Sequence, residues 1–489
     1  MDHQILISNT LTGRKETLVP KNSTTNHIGI YACGVTVYDD CHIGHAMQAI
    51  YFDIVKRYLK YVGYNVTYVR NYTDVDDKII ARAKERGMSS LALSQQVIES
   101  SIRDMKAIGV STADFEPKVS ESIPEIIKMI EDIIANDMAY KTISGDVYFR
   151  VRRKSDYGKL SNRKPDELRS GARDVVVGEK EDELDFALWK ADSTEGASWD
   201  SPWSKGRPGW HIECSAMAKK YLGSSFEIHG GGRDLVFPHH ENEIAQSEAA
   251  NKMSYANCWM HSGLLTIQQQ KMSKSLGNHI SIQAFLSRWP AEVMRLGFLM
   301  NHYQSNIDFS EKVFQTCAKR LIYYYEQMIQ FRSIAKNVAC DSAQLSTFKA
   351  QFRECMNDDF NTPKVVALLN QWMKQGIEWS AGKVTPASQA KLNAILEAIK
   401  DVALVTGLLS DDPESLVQNL KLRVIKDIGV EESFIASKIE ERRVARTNKD
   451  FAASDRIRDE LATKQILLKD TPSGTNWTVK FNPSGEDAT

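Results

Sequence analysis

An α/β chain with a parallel, doubly wound sheet, followed by an all-helical region and a small tail, is the fold class this sequence predicts. Three observations carry it. Short apolar runs alternate with helical patterns through the first third of the 489 residues. Strand-like runs stop after about Ser310. Beyond that point, apolar residues recur at i, i+3, i+4 and i+7, the spacing of buried helix faces.

Residues 27–32 (HIGIYA) read as the first strand, ended by Cys33 and Gly34. A helix is expected over about 44–62, where Ala49, Phe52, Asp53, Lys56 and Leu59 fall at helical spacing. Residues 65–71 (NVTYVRN) form a second strand. Thr73 and Asp74 are candidate caps for a helix over 76–86 that ends at Gly87. Strand, helix, strand, helix at this pitch argues for a Rossmann-like parallel sheet. Residues 150–173 hold nine Lys or Arg against three acids, broken by Gly158, Pro165 and Gly171, and 174–185 is acidic. We read an insertion there (about 120–205), its basic part facing solvent or an anionic partner.

Residues 226–229 and 258–265 read as later strands of the same sheet. In 311–337 the stripe Phe314, Cys317, Ala318, Leu321, Ile322, Tyr325 and Met328 marks a helix. Thr362 is expected to cap another that Pro363 opens. The tail carries a charged helix over 431–447, another over 452–463, and a strand-like 478–481. The predicted organisation is a nucleotide-binding domain over 1–310, a helical bundle over 311–425 and a small tail over 426–489.

Length and composition bound the function. With 42% hydrophobic and 26% charged residues the chain is an ordinary globular protein. A net charge of −1 announces no global affinity for nucleic acid, although local basic patches can still dock a polyanion. Seven scattered cysteines do not make a disulfide framework and fit a reducing, cytoplasmic setting. No apolar run approaches the roughly 20 residues that span a bilayer.

Three constellations carry chemistry. His42-Ile43-Gly44-His45 stands between a strand and a helix, where free N–H groups attract phosphate. Two imidazoles there can donate to phosphate oxygens, and Gly44 leaves room for an adenine or ribose. Lys271-Met272-Ser273-Lys274-Ser275 places two lysines in a polar loop, able to reach one pyrophosphate as mobile charges. In 238–243 (PHHENE), His239 and Glu243 lie i and i+4 on one helical face. With thiolates from elsewhere they could hold zinc. Cys33 and Cys214 are candidates, and spacing alone does not select them over Cys41, His211 or His240.

The histidine and lysine motifs together resemble the HIGH and KMSKS signatures of class I aminoacyl-tRNA synthetases. More specifically, YACGVTVYDDCHIGH (31–45), NYTDVDDKII (71–80), SWDSPWSKGRPGWHIECSAMA (198–218), IHGGGRDLVFPHHENEIAQSEAA (228–250) and KMSKSLGN (271–278) resemble the cysteinyl-tRNA synthetase family. The tail strings KDFAASDRIRDEL (449–461) and KDTPSGTNW (469–477) extend the resemblance over nearly the whole chain. It implies a ligase that activates L-cysteine with ATP and Mg²⁺ to an adenylate, then passes cysteine to the terminal adenosine of its tRNA. It implies zinc held by Cys33, Cys214, His239 and Glu243, with the substrate thiol joining the metal.

By the same resemblance His42, Gly44, His45, Lys271, Ser273 and Lys274 serve ATP. Gly34, Thr36, Trp210 and Asp234 line the cysteine pocket, with Asp234 facing the ammonium and Trp210 forming an apolar wall. The bundle and tail, including Arg442, Arg443, Arg446, Lys449, Arg456, Arg458 and Trp477, are expected to bind tRNA. A monomer is expected. Met47, Arg233 and Gln304 depart from the family pattern, and none is a proposed ligand. Two other readings share parts of this pattern. A ligase passing cysteine to an amino-sugar generally has a shorter C-terminal region. A silent tRNA-binding paralogue would not need intact signatures and metal ligands.

Overall fold

The computed structural model describes residues 4–22, 24–164, 179–194, 196–267, 270–271, 279–336, 338–471 and 474–480. Its centre is a four-stranded parallel sheet of β1 (His27–Thr36), β2 (Asn65–Thr73), β3 (Phe226–Gly232) and β4 (Ala256–Ser262), in the order β4-β3-β1-β2. From β1 the chain moves to β2 on one side and later returns to β3 on the other. The strand order therefore reverses between β1 and β3, the crevice where open α/β sheets bind ligands. Most of β1 and all of β3 are buried, as sheets covered on both faces require.

Helix α1 (Ile43–Tyr61) connects β1 to β2 and buries Ala46, Ile50, Ile54, Tyr58 and Leu59. A following helix, Asp77–Arg86, ends at Gly87 in the left-handed conformation, φ 65°, where a glycine carries no Cβ penalty. Its cap is Asp76, whose side chain accepts from the Lys78 N–H, in place of the expected Thr73 or Asp74. Helix α2 (Trp210–Leu222) packs on β1 and β2, and α3 (Glu241–Asn251) packs against α2.

Between β2 and β3 lies an antiparallel sheet of Ala139–Lys141, Val147–Phe149, Phe186–Ala191 and Gly206–Pro208. No strand is expected here from the sequence, because three of the four are only three residues long and show too little alternation. Part of the basic stretch, 165–173, lies outside the described residues. In the described part, Arg150 pairs with Asp137 and Glu181, and Arg152 pairs with Asp182.

Long helices follow from Glu311–Ile334 through Pro413–Asp427. Asn361 caps Thr362–Ser380 by accepting from the Lys364 N–H, one residue earlier than expected. The tail helices Glu432–Thr447 and Phe451–Thr463 precede a hairpin, Ile466–Thr471 with Gly474–Val479, longer than the single strand-like segment foreseen. Among the described residues no helix is long and apolar enough to cross a membrane.

Candidate functional site

A cleft of about 420 Å³ opens at the C-terminal edge of the sheet. Its walls include Cys33, Gly34 and Thr36 from the end of β1, His42, Gly44 and His45 from the start of α1, and Trp210, Cys214, Asp234 and His239. Gly34 is required there by contact. A Cβ at that position would lie 1.6 Å from the Asn71 carbonyl oxygen, and the Gly34 N–H donates to Asn71 Oδ1 at 2.9 Å.

The two motif histidines cap α1 reciprocally. His42 Nδ1 accepts from the N–H groups of Gly44 (3.1 Å) and His45 (3.4 Å), and His45 Nδ1 accepts from the His42 N–H at 3.3 Å. With both Nδ1 atoms accepting, each neutral ring carries its proton on Nε2. Burial, then the neighbouring His279, pushes His42 down to about 4. Burial and His42 hold His45 well below the ordinary range. The rings stack at 3.7 Å. The outcome is two uncharged N–H donors beside a helix N-terminus, suited to an anionic ligand.

The segment after the lysine loop returns to this motif. Ile43 N–H donates to the Ile280 carbonyl, Ile282 N–H donates to the Cys41 carbonyl, and His279 meets His42 edge-on at 5.1 Å. Lys271 ends a short strand paired with Leu265–Ile267, whose Leu265 lines the cleft. Ser273 and Lys274 lie outside the described residues.

At the floor of the cleft, one ligand atom each from Cys33, Cys214, His239 and Glu243 fall within 4.8 Å of one another, all buried. Cys33 comes from β1, Cys214 from α2, and His239 and Glu243 from the turn into α3 and its first residues. Cys33 Sγ is 3.7 Å from Cys214 Sγ and 3.3 Å from Glu243 Oε1, and His239 Nε2 is 3.1 Å from Glu243 Oε1. The hydrogen bond from Cys33 outweighs burial and brings the Cys214 thiol down to about 6, while burial pushes Cys33 up. Burial opposes a charged His239, yet its bonds to Cys214 and Glu243 carry it up to about 10. Such a set of thiol, imidazole and carboxylate groups is the donor chemistry of a zinc-type ion.

The alternatives left open by spacing separate here. Cys41 lies apart, its thiol on Ser101 Oγ. His211 Nδ1 stands 2.9 Å from His239 Nδ1, so it orients the His239 ring. His240 belongs to a deeper group described below. Trp210 places its ring 4.5 Å from His239 and is 40% exposed, open enough to serve as a wall. Asp234 is exposed at the rim, beside Gly232, where a Cβ would lie 2.6 Å from Asp234 Oδ1. Two of the unusual residues meet, as Arg233 donates to the Gln304 carbonyl at 3.0 Å.

Sequence reasoning missed Gln48, which donates to the Cys33 carbonyl at 2.7 Å, and Tyr255, whose hydroxyl donates to Glu243 Oε2 at 3.1 Å. It also missed Lys78, which lines the cleft. Nothing local marks the first two; only the helical position of Gln48, one turn past His45, hinted at a shared face.

Comparisons with known proteins agree with this geometry. The family described as tRNA synthetases class I (C) catalytic domain matches residues 19–319, and the DALR domain matches residues 351–410. The cysteine–tRNA ligase of Desulfotalea psychrophila is 44% identical over 487 residues, covering 97% of this chain and 99% of that one. That of Geobacter sulfurreducens is 44% identical over 492 residues, with 97% and 99% covered. Among solved structures, Mycobacterium tuberculosis methionyl-tRNA synthetase in complex with methionyl-adenylate superimposes with a TM-score of 0.61 at 14% identity, covering 83% of this chain and 96% of that one. At that identity the likeness speaks for the fold.

Proposed function

The chain belongs to the cysteine–tRNA ligase family of class I aminoacyl-tRNA synthetases, and from that premise we propose how its cleft performs the ligase reaction. The observation that carries the site assignment is the convergence of Cys33, Cys214, His239 and Glu243, from separate elements, at the floor of the one cleft that the histidine motif also lines. A zinc ion held by these four would bind a thiolate far better than a hydroxyl, and so would select cysteine over serine where an apolar pocket separates near-isosteres only about 10–200-fold.

The remaining roles fall to the chain's own groups. Asp234 at the rim takes the substrate ammonium, Trp210 forms the apolar wall, and Gly34 and Thr36 shape the pocket beside the floor. His42 and His45 Nε2–H groups, with the α1 N-terminus, donate to phosphate oxygens of ATP, which enters as its Mg²⁺ complex; Gly44 leaves space for the nucleoside. Lys271, Ser273 and Lys274 close on the leaving pyrophosphate. The cysteine carboxylate attacks the α-phosphorus, pyrophosphate departs, and the adenylate forms without any covalent bond to the protein. A ribose hydroxyl of the terminal adenosine of tRNA then attacks the activated carbonyl and AMP leaves. Rate comes from positioning and charge stabilisation.

We assign the helices after residue 311 to the tRNA stem and the region after 426 to the anticodon. The monomeric state and a cytoplasmic setting belong to the same reading.

Charging is tested with ATP, Mg²⁺, labelled cysteine and total tRNA, scoring acid-precipitable label. Label that needs both ATP and tRNA supports the reading; cysteine-dependent pyrophosphate exchange without charging would point to another acceptor. Cys214→Ser tests the metal assignment. Zinc should be held more weakly and cysteine activation should fall with it, and unchanged zinc affinity with unchanged cysteine-over-serine selectivity would refute it.

A further inference from the structure

We propose that this chain holds a second seat for a divalent ion behind the first, formed by Cys33 Sγ, His229 Nε2, His240 Nε2 and the Glu243 carboxylate. These four also offer ligand atoms within 4.8 Å of one another, and all are buried. His229 Nε2 lies 3.7 Å from Cys33 Sγ and 3.4 Å from Glu243 Oε2, and His240 Nε2 lies 3.9 Å from Glu243 Oε1. Cys33 is the pivot, with Cys214 at 3.7 Å on one side and His229 at 3.7 Å on the other.

An independent feature points to a ligand. His240 Nε2 is fully buried and has no hydrogen-bond partner among the described residues. At 3.9 Å the nearest carboxylate oxygen is too far to accept from it. The other nitrogen of that ring is well served: His240 Nδ1 lies 2.7 Å from His261 Nε2, and His261 Nδ1 lies 2.7 Å from Thr10 Oγ1. When Nδ1–H donates along this chain, the Nε2 lone pair faces the cluster, the arrangement that orients metal-binding imidazoles. Gly231 leaves room for the ring in this position, since a Cβ there would stand 3.0 Å from His240 Cε1. A buried, aimed and unanswered nitrogen is costly unless something binds it.

One thiolate, two imidazoles and a carboxylate suit zinc or cobalt(II). Because both seats use Cys33 and Glu243, one ion occupies one seat at a time. The rear seat retains the ion when Cys214 or His239 is unavailable. The inference rests on the front-seat reading only through the two shared residues.

The test uses full-length protein stripped by chelator and titrated with Co²⁺, read by bound cobalt per chain after gel filtration and by thiolate-to-cobalt absorption. The double variant Cys214→Ser/His239→Ala should still bind one Co²⁺, with roughly half the charge-transfer intensity of the parent. Adding His240→Gln should weaken that binding about 100-fold or more. A folded double variant that binds no cobalt overturns the rear seat and leaves the front one standing. Parent absorption unchanged by Cys214→Ser would instead sink the front seat. Should the double variant fail to fold, Cys214→Ser is compared with Cys214→Ser/His240→Gln. Cobalt lost only on the second change supports the proposal, and equal retention overturns it.

Discussion

His42 shows how a residue can serve structure and chemistry through different atoms. Its Nδ1 caps α1, and its Nε2 remains for a ligand. The two roles separate in His42→Asn, because asparagine is among the best N-caps. We expect stability to hold within about 0.5 kcal/mol, while cysteine-dependent pyrophosphate exchange falls about 10²–10³-fold, the loss typical of one preorganised donor. A loss below about threefold would mean that the imidazole only caps. The ring's titration follows from its surroundings. Burial, with His279 nearby, lowers His42 from 6.5 to about 4, so protonating it opposes folding. The stability this group contributes is complete above about 6.5 and is lost as pH falls through about 4. An imidazole NMR signal with a midpoint near 4, absent from His42→Asn, is the expected record; a midpoint at the ordinary value would contradict it.

At the scale of elements, the close approach of β1 and β2 fixes the floor of the cleft. Register shifts between Ala32 and Val35, and Gly34 sits at that irregularity against the Asn71 carbonyl. Gly34→Ala forces the strands apart and should cost at least ~2 kcal/mol, checked by urea unfolding, with loss of cysteine binding because Cys33 moves with it. Wild-type stability in that variant would show that the irregularity relaxes freely. Helices were the elements most legible in the sequence. The face of α1 and the stripe along Glu311–Ile334 repeat over several turns, and a long period survives local noise. Caps were less legible, since a cap depends on which side chain reaches a free N–H; Asp76 and Asn361 won over Thr73 or Asp74 and Thr362. The insertion's strands were invisible because three of the four are only three residues long, too short for a period of two to show. The site was legible in the same graded way. His239 and Glu243 sit on one helical face and could be paired by spacing. Cys33 and Cys214, 181 positions apart, could be chosen over Cys41 only by the resemblance. The rear imidazoles had no sequence signal beyond the doublet His239-His240.

Across the whole molecule, a buried guanidinium is among the ties between the cleft domain and the helical region. Arg295 donates to the carbonyls of Ile108 (2.9 Å), Gly109 (2.7 Å) and Thr406 (3.1 Å), and pairs with Asp53 of α1 at 3.1 Å. Arg295→Met takes this donor from the buried Ile108 and Thr406 carbonyls, while Gly109 keeps Arg57 at 2.7 Å and Asp53 keeps Arg57 at 2.9 Å and the Ser111 N–H at 3.1 Å. Breaking such a pair costs about 3–5 kcal/mol, measurable by denaturant unfolding; a change under about 1 kcal/mol would mean that water replaces the guanidinium fully. Among the described residues the tail has no such tie to the cleft. Its hairpin is held by Lys421, which donates to the Trp477 carbonyl at 2.8 Å, and by Lys469, paired with Glu326 at 2.8 Å, both on the helical region. The buried Arg442 and the exposed Arg446 both pair with Asp470, which they hold well below the usual carboxylate range, so they brace the hairpin as well as carry charge. Under the proposed tRNA role of the tail, the cationic surface falls to other residues, the exposed Lys449, Arg456 and Arg458 among them. Deleting 430–489 should therefore leave cysteine-dependent pyrophosphate exchange within about twofold of the full chain. The same deletion should raise KM for tRNA in charging at least about tenfold, the scale of one or two lost contacts worth 1–3 kcal/mol each. Equal losses in exchange and charging would mean that the tail supports the catalytic fold, and unchanged charging would remove it from tRNA recognition.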